Sequence, residues 1–514
     1  MTANGSGRGR GSRTAALVAI TALAGVAVLL TGCLVGPSYK RPPAASPAAF
    51  KEPPPPNWKS ATPRDEIPRG KWWELFGDPQ LDALEEQVSV SNQSIAQAEA
   101  QFRAARAAAG VARGGLFPTV TAGASATRSR SGAGRGATTL TGATGSPGAS
   151  GSGTTATTPG STTSIYQVPL DASYEVDVWG RVRRLIESSV ATAQASAGDL
   201  ETMRLSLQAE LAVDYFELHG LDAQQQLLIT TAGAYQKALE LTTNRYNQGV
   251  ASGVDVAQAQ TQLETTRAQA IDLGVQRTQL EHAIAVLTGK APSELTITQA
   301  PVTVQPPVVP VALPSELLER RPDIAANERR MAAANAQVGV QVAAYYPTIS
   351  LTASGGFENT SLADLFNWPS RFWSLGASAV ETLFNGGARR AATEQARANY
   401  DAAVAAYRQT VLTAFQDVED NLSALRVLDA EAAQQQIAVT AAERSLALSN
   451  YRYQGGITTY LEVITAQAAA LANERTAVDI LTRRMTAAVN LVKALGGGWR
   501  ESDLPSGSAI LTRP

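Results

Sequence analysis

The chain has 514 residues, and its 43 Lys and Arg nearly balance 45 Asp and Glu, for a formal net charge of −2. That balance, with no basic stripe in view, argues against a nucleic-acid partner. Two histidines (His219 and His282) and one cysteine leave little material for a metal cage or a catalytic histidine system, and a single thiol excludes an internal disulfide.

Arg8, Arg10 and Arg13 precede an apolar run from Ala15 to Leu30, too short and too close to the start for a comfortable membrane span. Leu30-Thr31-Gly32-Cys33 follows directly. This resembles a bacterial lipoprotein signal: residues 1–32 are removed, and Cys33 receives diacylglycerol on its sulfur and an N-acyl chain on its new amino end. Such chains anchor a protein through their buried methylenes. Leu34, not Asp, comes next, which in lipoproteins favours the outer membrane. The bland alternative is an inert cysteine in a leftover signal peptide.

Residues 33–70, with Pro42-Pro43 and Pro53 to Pro56, read as an extended, unfolded tether. Composition becomes globular at Lys71-Trp72-Trp73, and Asp78 with Pro79 starts a helix. One helix is expected from Leu81 to Val111, where Ala, Gln and Glu dominate. The period then changes to two. Val120, Ala122, Ala124 and Ala126 alternate with Thr119, Thr121, Ser125 and Thr127, giving a strand over about 116–128. Ser129 to Ser164 is nearly all Gly, Ser, Thr and Ala and reads as a long mobile loop. A second strand, about 165–179, puts Val168, Leu170, Ala172, Tyr174, Val176 and Val178 on one face, with Asp171, Glu175 and Asp177 on the other. Trp179-Gly180 closes it.

Arg181 to Asn247 is a proline-free helix that Gly249 and Gly253 end, and a second helix runs from Val254 to Leu287. Residues 290–313, with Pro301, Pro306-Pro307 and Pro310, form a linker. The same order then recurs. Pro322 opens a helix to Ala344, strands follow at about 346–358 and 371–384, a helix runs from Ala388 to Tyr453, Gly455-Gly456 breaks it, and a last helix stops at Gly496-Gly497-Gly498.

The recurrence is a duplication. Arg245-Tyr246-Asn247-Gln248-Gly249 matches Arg452-Tyr453-Gln454-Gly455-Gly456, and Leu116-Phe117-Pro118-Thr119 matches Tyr345-Tyr346-Pro347-Thr348. So long a period means two copies of one large unit, here 71–289 and 314–498, followed by a tail at 499–514. The strands alternate apolar with small polar residues, as transmembrane barrel strands do, although a small soluble hairpin has the same pattern. Four strands cannot close a barrel, and an open edge is not tolerated in lipid, so membrane strands here must be pooled among chains. Phe117, Trp179, Tyr346 and Phe384 fall where strands meet helices, fitting an interfacial aromatic girdle or a packed domain junction.

Several segments together resemble a known family: Val35-Gly36-Pro37-Ser38-Tyr39, Trp72-Trp73, Phe117-Pro118, Tyr174-Glu175-Val176-Asp177-Val178-Trp179-Gly180-Arg181, Arg320-Arg321-Pro322-Asp323-Ile324 and Phe384-Asn385-Gly386-Gly387. The series is similar to the outer-membrane factors of tripartite efflux systems, the TolC family, in its OprM-like or NodT-type lipoprotein branch. The fold implied is mainly α with membrane β. Three chains pool four strands each into a twelve-stranded outer-membrane barrel, continued by an α-helical barrel through the periplasm. The implied partners are two copies of itself, a periplasmic adaptor (membrane fusion protein) and an inner-membrane pump of the resistance-nodulation-division type. The resemblance implies no enzymatic chemistry and no cofactor beyond the lipid on Cys33.

It also implies a periplasmic gate at the turns marked by Gly249 and Gly456. Three Glu462 carboxylates would ring the mouth, and Asp255 and Tyr453 would take part in links that hold it shut. Thr465 stands where some relatives carry a second acidic ring, and Thr458 where some carry an arginine. Otherwise Asp255 and Glu462 are ordinary first-turn helix carboxylates. Three rivals are an outlet for type I protein secretion, a non-conducting structural lipoprotein, and an enzyme built on Asp171, Glu175 and Asp177. The four methionines form no cluster that would suggest a metal-ion cargo.

Overall fold

The computed structural model describes residues 34–43, 47, 49–52, 71–130, 162–301, 305–307, 309 and 319–512. Cys33 and most of the Gly/Ser/Thr-rich stretch lie outside them. The chain divides into two compact units. One gathers 110–187, 336–396 and the N-terminal residues to Pro37; the other gathers 38–109, 188–335 and 397–514.

The first unit holds one antiparallel sheet of β1 (Thr119–Ala122), β2 (Ser125–Arg130), β3 (Thr162–Val176), β4 (Thr348–Asn359) and β5 (Arg371–Val380). β1 and β2 both pair with β3, whose other side carries β4 and then β5. They are one strand interrupted at Gly123, whose N–H still reaches Pro169 O at 3.0 Å. The sheet therefore has four strand positions, with edges at β1/β2 and β5. The ladder extends into the stretch expected as loop, pairing Ser129 with Thr163 and Arg130 with Thr162. Ladder hydrogen bonds come from the backbone, so small polar side chains do not forbid them. β3 ends at Val176 and β5 at Val380, short of the expected 179 and 384. Trp179 and Phe384 thus lie in the connections outside the strands.

The second unit takes in most of the helices. α1 (Pro79–Ser91) starts as expected, with Asp78 Oδ1 accepting from Gln80 N at 2.9 Å and Leu81 N at 3.3 Å. The single helix expected over 81–111 is two, because α2 (Gln93–Gly114) begins after a break at Asn92, φ −68° and ψ 125°. The Asn92 carboxamide accepts from Ser94 N at 2.8 Å and Ile95 N at 3.1 Å and donates to Leu287 O at 2.8 Å. A side chain that takes over backbone groups in this way competes with helix continuation.

α3 (Arg181–Asn247) and α6 (Ala388–Gln454) have 67 residues each, and α4 (Gly253–Leu287) and α7 (Tyr460–Ala494) have 35 each. At the helical rise, 67 residues extend about 100 Å. The duplication is therefore structural as well as textual. α5 (Pro322–Ala343) is the second copy's counterpart of α2. The main core packs Trp72, Phe76, Leu211, Phe216, Leu422 and Val489.

Described parts of the linker and of the tether are held by side chains. Within the linker, Ile297 N donates to Glu281 at 2.7 Å, Arg277 donates to Ile297 O at 2.7 Å, and Ala300 N donates to Asp222 at 3.1 Å. In the tether, Tyr39 Oη lies 2.5 Å from Glu328, and Lys51 N and Glu52 N donate to Glu419 at 2.6 and 2.8 Å. Segments without ladder partners satisfy their backbone groups on side chains instead.

Candidate functional site

The two turns that join long helices share one backbone design. Gly249 N donates to Tyr246 O at 2.8 Å and Val250 N to Arg245 O at 2.8 Å; Gly456 N donates to Tyr453 O at 3.0 Å and Ile457 N to Arg452 O at 2.9 Å. Gly249 and Gly456 are left-handed, φ 77° and 71°. This pattern closes a helix while satisfying its last carbonyls, and it favours glycine.

The side chains after the turns diverge. Ser252 and Asp255 form a reciprocal capping box: Ser252 N donates to Asp255 Oδ2 at 3.0 Å, and Asp255 N to Ser252 Oγ at 3.2 Å. The N-cap Thr459 of α7 makes no such bond. Glu462 turns instead to Arg452, whose Nη1 donates to Oε1 at 2.7 Å, and to the Thr458 hydroxyl. Tyr453 is buried, 5.2 Å from the Tyr460 ring, with its hydroxyl 3.5 Å from Thr242 Oγ1. Arg245 lies over the Tyr453 ring at 4.7 Å and donates to Tyr453 O and Gln454 O at 3.0 and 3.2 Å. A cation from the first turn thus caps the carbonyl end of α6 and ties the two turns together.

Glu462 therefore pairs with Arg452 and Thr458, Tyr453 packs with Arg245 and Tyr460, and the Asp255 side chain bonds its own helix cap. Sequence reasoning missed Arg245 and Arg452 as partners. The signal was present: each opens the repeated Arg-Tyr motif.

The junction aromatics separate into two kinds. Trp179 stacks on Tyr346 at 4.7 Å and 22°, and its indole N–H donates to Pro347 O at 2.9 Å. Phe117 and Phe384 are 60% and 88% exposed and have no such partner ring among the described residues. The three carboxylates expected on the other strand face are engaged. Asp171 accepts from the Ser354 hydroxyl at 2.5 Å, and Glu175 pairs with Arg181 at 2.6 and 2.8 Å. Asp177 accepts from Val182 N at 3.0 Å and Arg183 N at 2.9 Å, opening α3. Its burial follows from this capping of the first turn.

Among the described residues, no helix is long and apolar enough to cross a membrane. The sheet leaves Val120, Leu170, Trp373 and Leu375 exposed, an uncovered apolar face among the described residues. A family model described as "Outer membrane efflux protein" matches residues 84–290 and 313–497. The chain belongs to the outer membrane efflux protein family. It is 32% identical over 431 residues to the pyoverdine export outer membrane protein OpmQ of Pseudomonas aeruginosa, covering 84% of this chain and 88% of that one. It is 32% identical over 485 residues to the probable efflux pump outer membrane protein TtgC of Pseudomonas putida, covering 94% and 96%. The solved outer-membrane channel OprN superposes with a TM-score of 0.80 at 31% identity, covering 91% of this chain and 100% of that one. This outer membrane efflux protein is the exit duct of an efflux pump, in a family of channels. Its duplicated helices and small sheet are the family's architecture.

Proposed function

We propose that this protein passes small toxic molecules across the outer membrane as one of three identical chains, fed by a periplasmic adaptor and an inner-membrane pump of the resistance-nodulation-division type. The observation that carries the reading is the sheet, which among the described residues has an uncovered apolar face and open edges at β1/β2 and β5. In lipid such edges must be paired, and three sheets joined edge to edge would make a closed twelve-stranded barrel. The 67-residue helices that follow would continue the duct into the periplasm. In this reading the copies are 71–289 and 314–498, and Cys33 carries diacylglycerol and an N-acyl chain.

In the trimer, three Glu462 side chains form the constriction ring, a cation-selective element by its charge. Arg452 pairs with Glu462, and Thr458, where some relatives carry an arginine partner for the Asp255 position, gives its hydroxyl to the same glutamate. Tyr453, clamped by Arg245, stiffens the turn, and Asp255 acts by fixing the first turn of α4. The polar cap of α4 and the Arg452–Glu462 pair support this division of labour. Phe117, Trp179, Tyr346 and Phe384 mark the membrane–water boundary on the periplasmic side of the outer membrane.

Deleting the gene and testing drugs, dyes, bile salts and solvents decides the export reading. Selective sensitisation, restored by the intact gene, is expected. Unchanged growth across the panel, in a strain whose sister ducts are also deleted, would refute it. Labelling with radioactive palmitate should mark the wild type and not Cys33→Ser.

A further inference from the structure

The sheet sorts its charged residues by face. Residues paired across strands point to the same side. One row joins Val120, Ala172, Ala353 and Leu375, and the next joins Ala122, Leu170, Gly355 and Trp373. These rows make the apolar face. Moving away from the helices, the same face continues through Val168, Phe357 and Arg371, then through Ala126 and Tyr166. It ends with Arg128 opposite Ser164 and Arg130 opposite Thr162. Asp171, Glu175 and Glu358 all fall on the opposite face.

Arg128 and Arg130 thus stand at the far rim of a mainly apolar face, and Arg371 stands at the far end of its own strand, two same-face rows nearer the helices. All three are exposed, and none has an ion-pair partner among the described residues. The Arg371 guanidinium lies over the Trp368 ring. Trp368 and Trp373, 75% and 79% exposed, put indoles at the same end, as expected where hydrocarbon gives way to headgroups. An arginine on a lipid-facing strand is costly at mid-depth and nearly free at the rim. Its planar fork binds phosphate oxygens in pairs.

We propose that Arg128, Arg130 and Arg371 form a docking rim for phosphate-bearing lipid headgroups, the phosphorylated glycolipid of the outer leaflet. The inference rests on the proposed reading that the apolar face meets lipid. Arg371 lies on one edge strand and Arg128 and Arg130 on the other. Joining three sheets edge to edge would set the arginines of neighbouring chains side by side in a continuous belt.

The test uses the purified full-length protein and native mass spectrometry, with lipid A bearing its phosphates and lipid A stripped of them as probes. The wild type is expected to retain the phosphorylated form over the stripped form by about tenfold or more. Arg128→Gln/Arg130→Gln/Arg371→Gln should lose that preference, and the corresponding triple Lys variant should keep most of it. Equal retention of the two lipids by the wild type, or an undiminished preference in the Gln variant, overturns the proposal. Planar-bilayer conductance on the same samples separates the two levels. A protein that inserts and conducts without discriminating sinks the lipid rim alone; one that neither inserts nor conducts sinks the membrane reading as well.

Discussion

Glu462 and Asp255 hold the same position in two copies of one turn, yet their side chains have different partners. Asp255 has Ser252 as N-cap partner and folds back on its own helix end. Glu462 follows a threonine N-cap that makes no side-chain bond, so its carboxylate is left for Arg452. That pair is partly exposed, with side chains 53% and 37% accessible, and such pairs stabilise little. Glu462→Ala is therefore expected to change unfolding free energy by less than about 1 kcal/mol while raising single-channel conductance and weakening cation preference. Unchanged conductance in a planar bilayer would remove the glutamate ring. A second residue ties stability to pH. Burial, with Glu210 and Glu217 adding repulsion, pushes the Asp214 carboxyl up to about 7 from the ordinary 3.8. The folded chain then holds a proton that the unfolded chain has released, so stability falls as pH rises from about 4 to about 7. Asp214→Asn should flatten that slope in denaturant titrations across the window. A wild-type slope that is already flat would contradict the assignment.

The long helices were legible because nothing in them competes: proline is absent and alanine and glutamine abound, so local propensity and tertiary structure agree. The break at Asn92 was not legible. Asparagine interrupts a helix when its side chain finds partners, and here one partner, Leu287 O, comes from the end of α4, far away in sequence. The same meeting point constrains Gly289. Its φ is +73°, and a Cβ there would lie 2.3 Å from Ser91 O. Gly249 is equally left-handed, φ +77°, but has nothing within 4 Å of its would-be Cβ. Gly249→Ala should therefore cost only the strain of the conformation, about 1–2 kcal/mol. Gly289→Ala should cost more, since backbone must also move, by about 2 kcal/mol or beyond. Thermal midpoints of the two variants check the order. A Gly289→Ala protein as stable as Gly249→Ala would mean that the packing of α4 against Ser91 is wrong.

For the whole molecule the duplication matters most. Among the described residues, two copies give helices of equal length and four strand positions, and the sheet ends in two unpaired edges. An open sheet in hydrocarbon leaves backbone groups without partners, each at a cost of several kcal/mol. The assembly is therefore expected to be a trimer, and light scattering in detergent should report three polypeptide masses. A monomer that still conducts would overturn the pooled barrel.

The sequence by itself determined the element order, the repeat, the helix-ending glycines and the alternation of the strands. Each rests on short-range periodicity or on backbone needs that a residue carries with it. Tertiary structure decided what depends on remote partners: the break at Asn92, the docking of residues 297–300 on Asp222, Arg277 and Glu281, and the pairing of Glu462 with Arg452. It also decided that Arg128, Arg130 and Arg371 share a face, because that follows from strand register and not from any one strand's pattern.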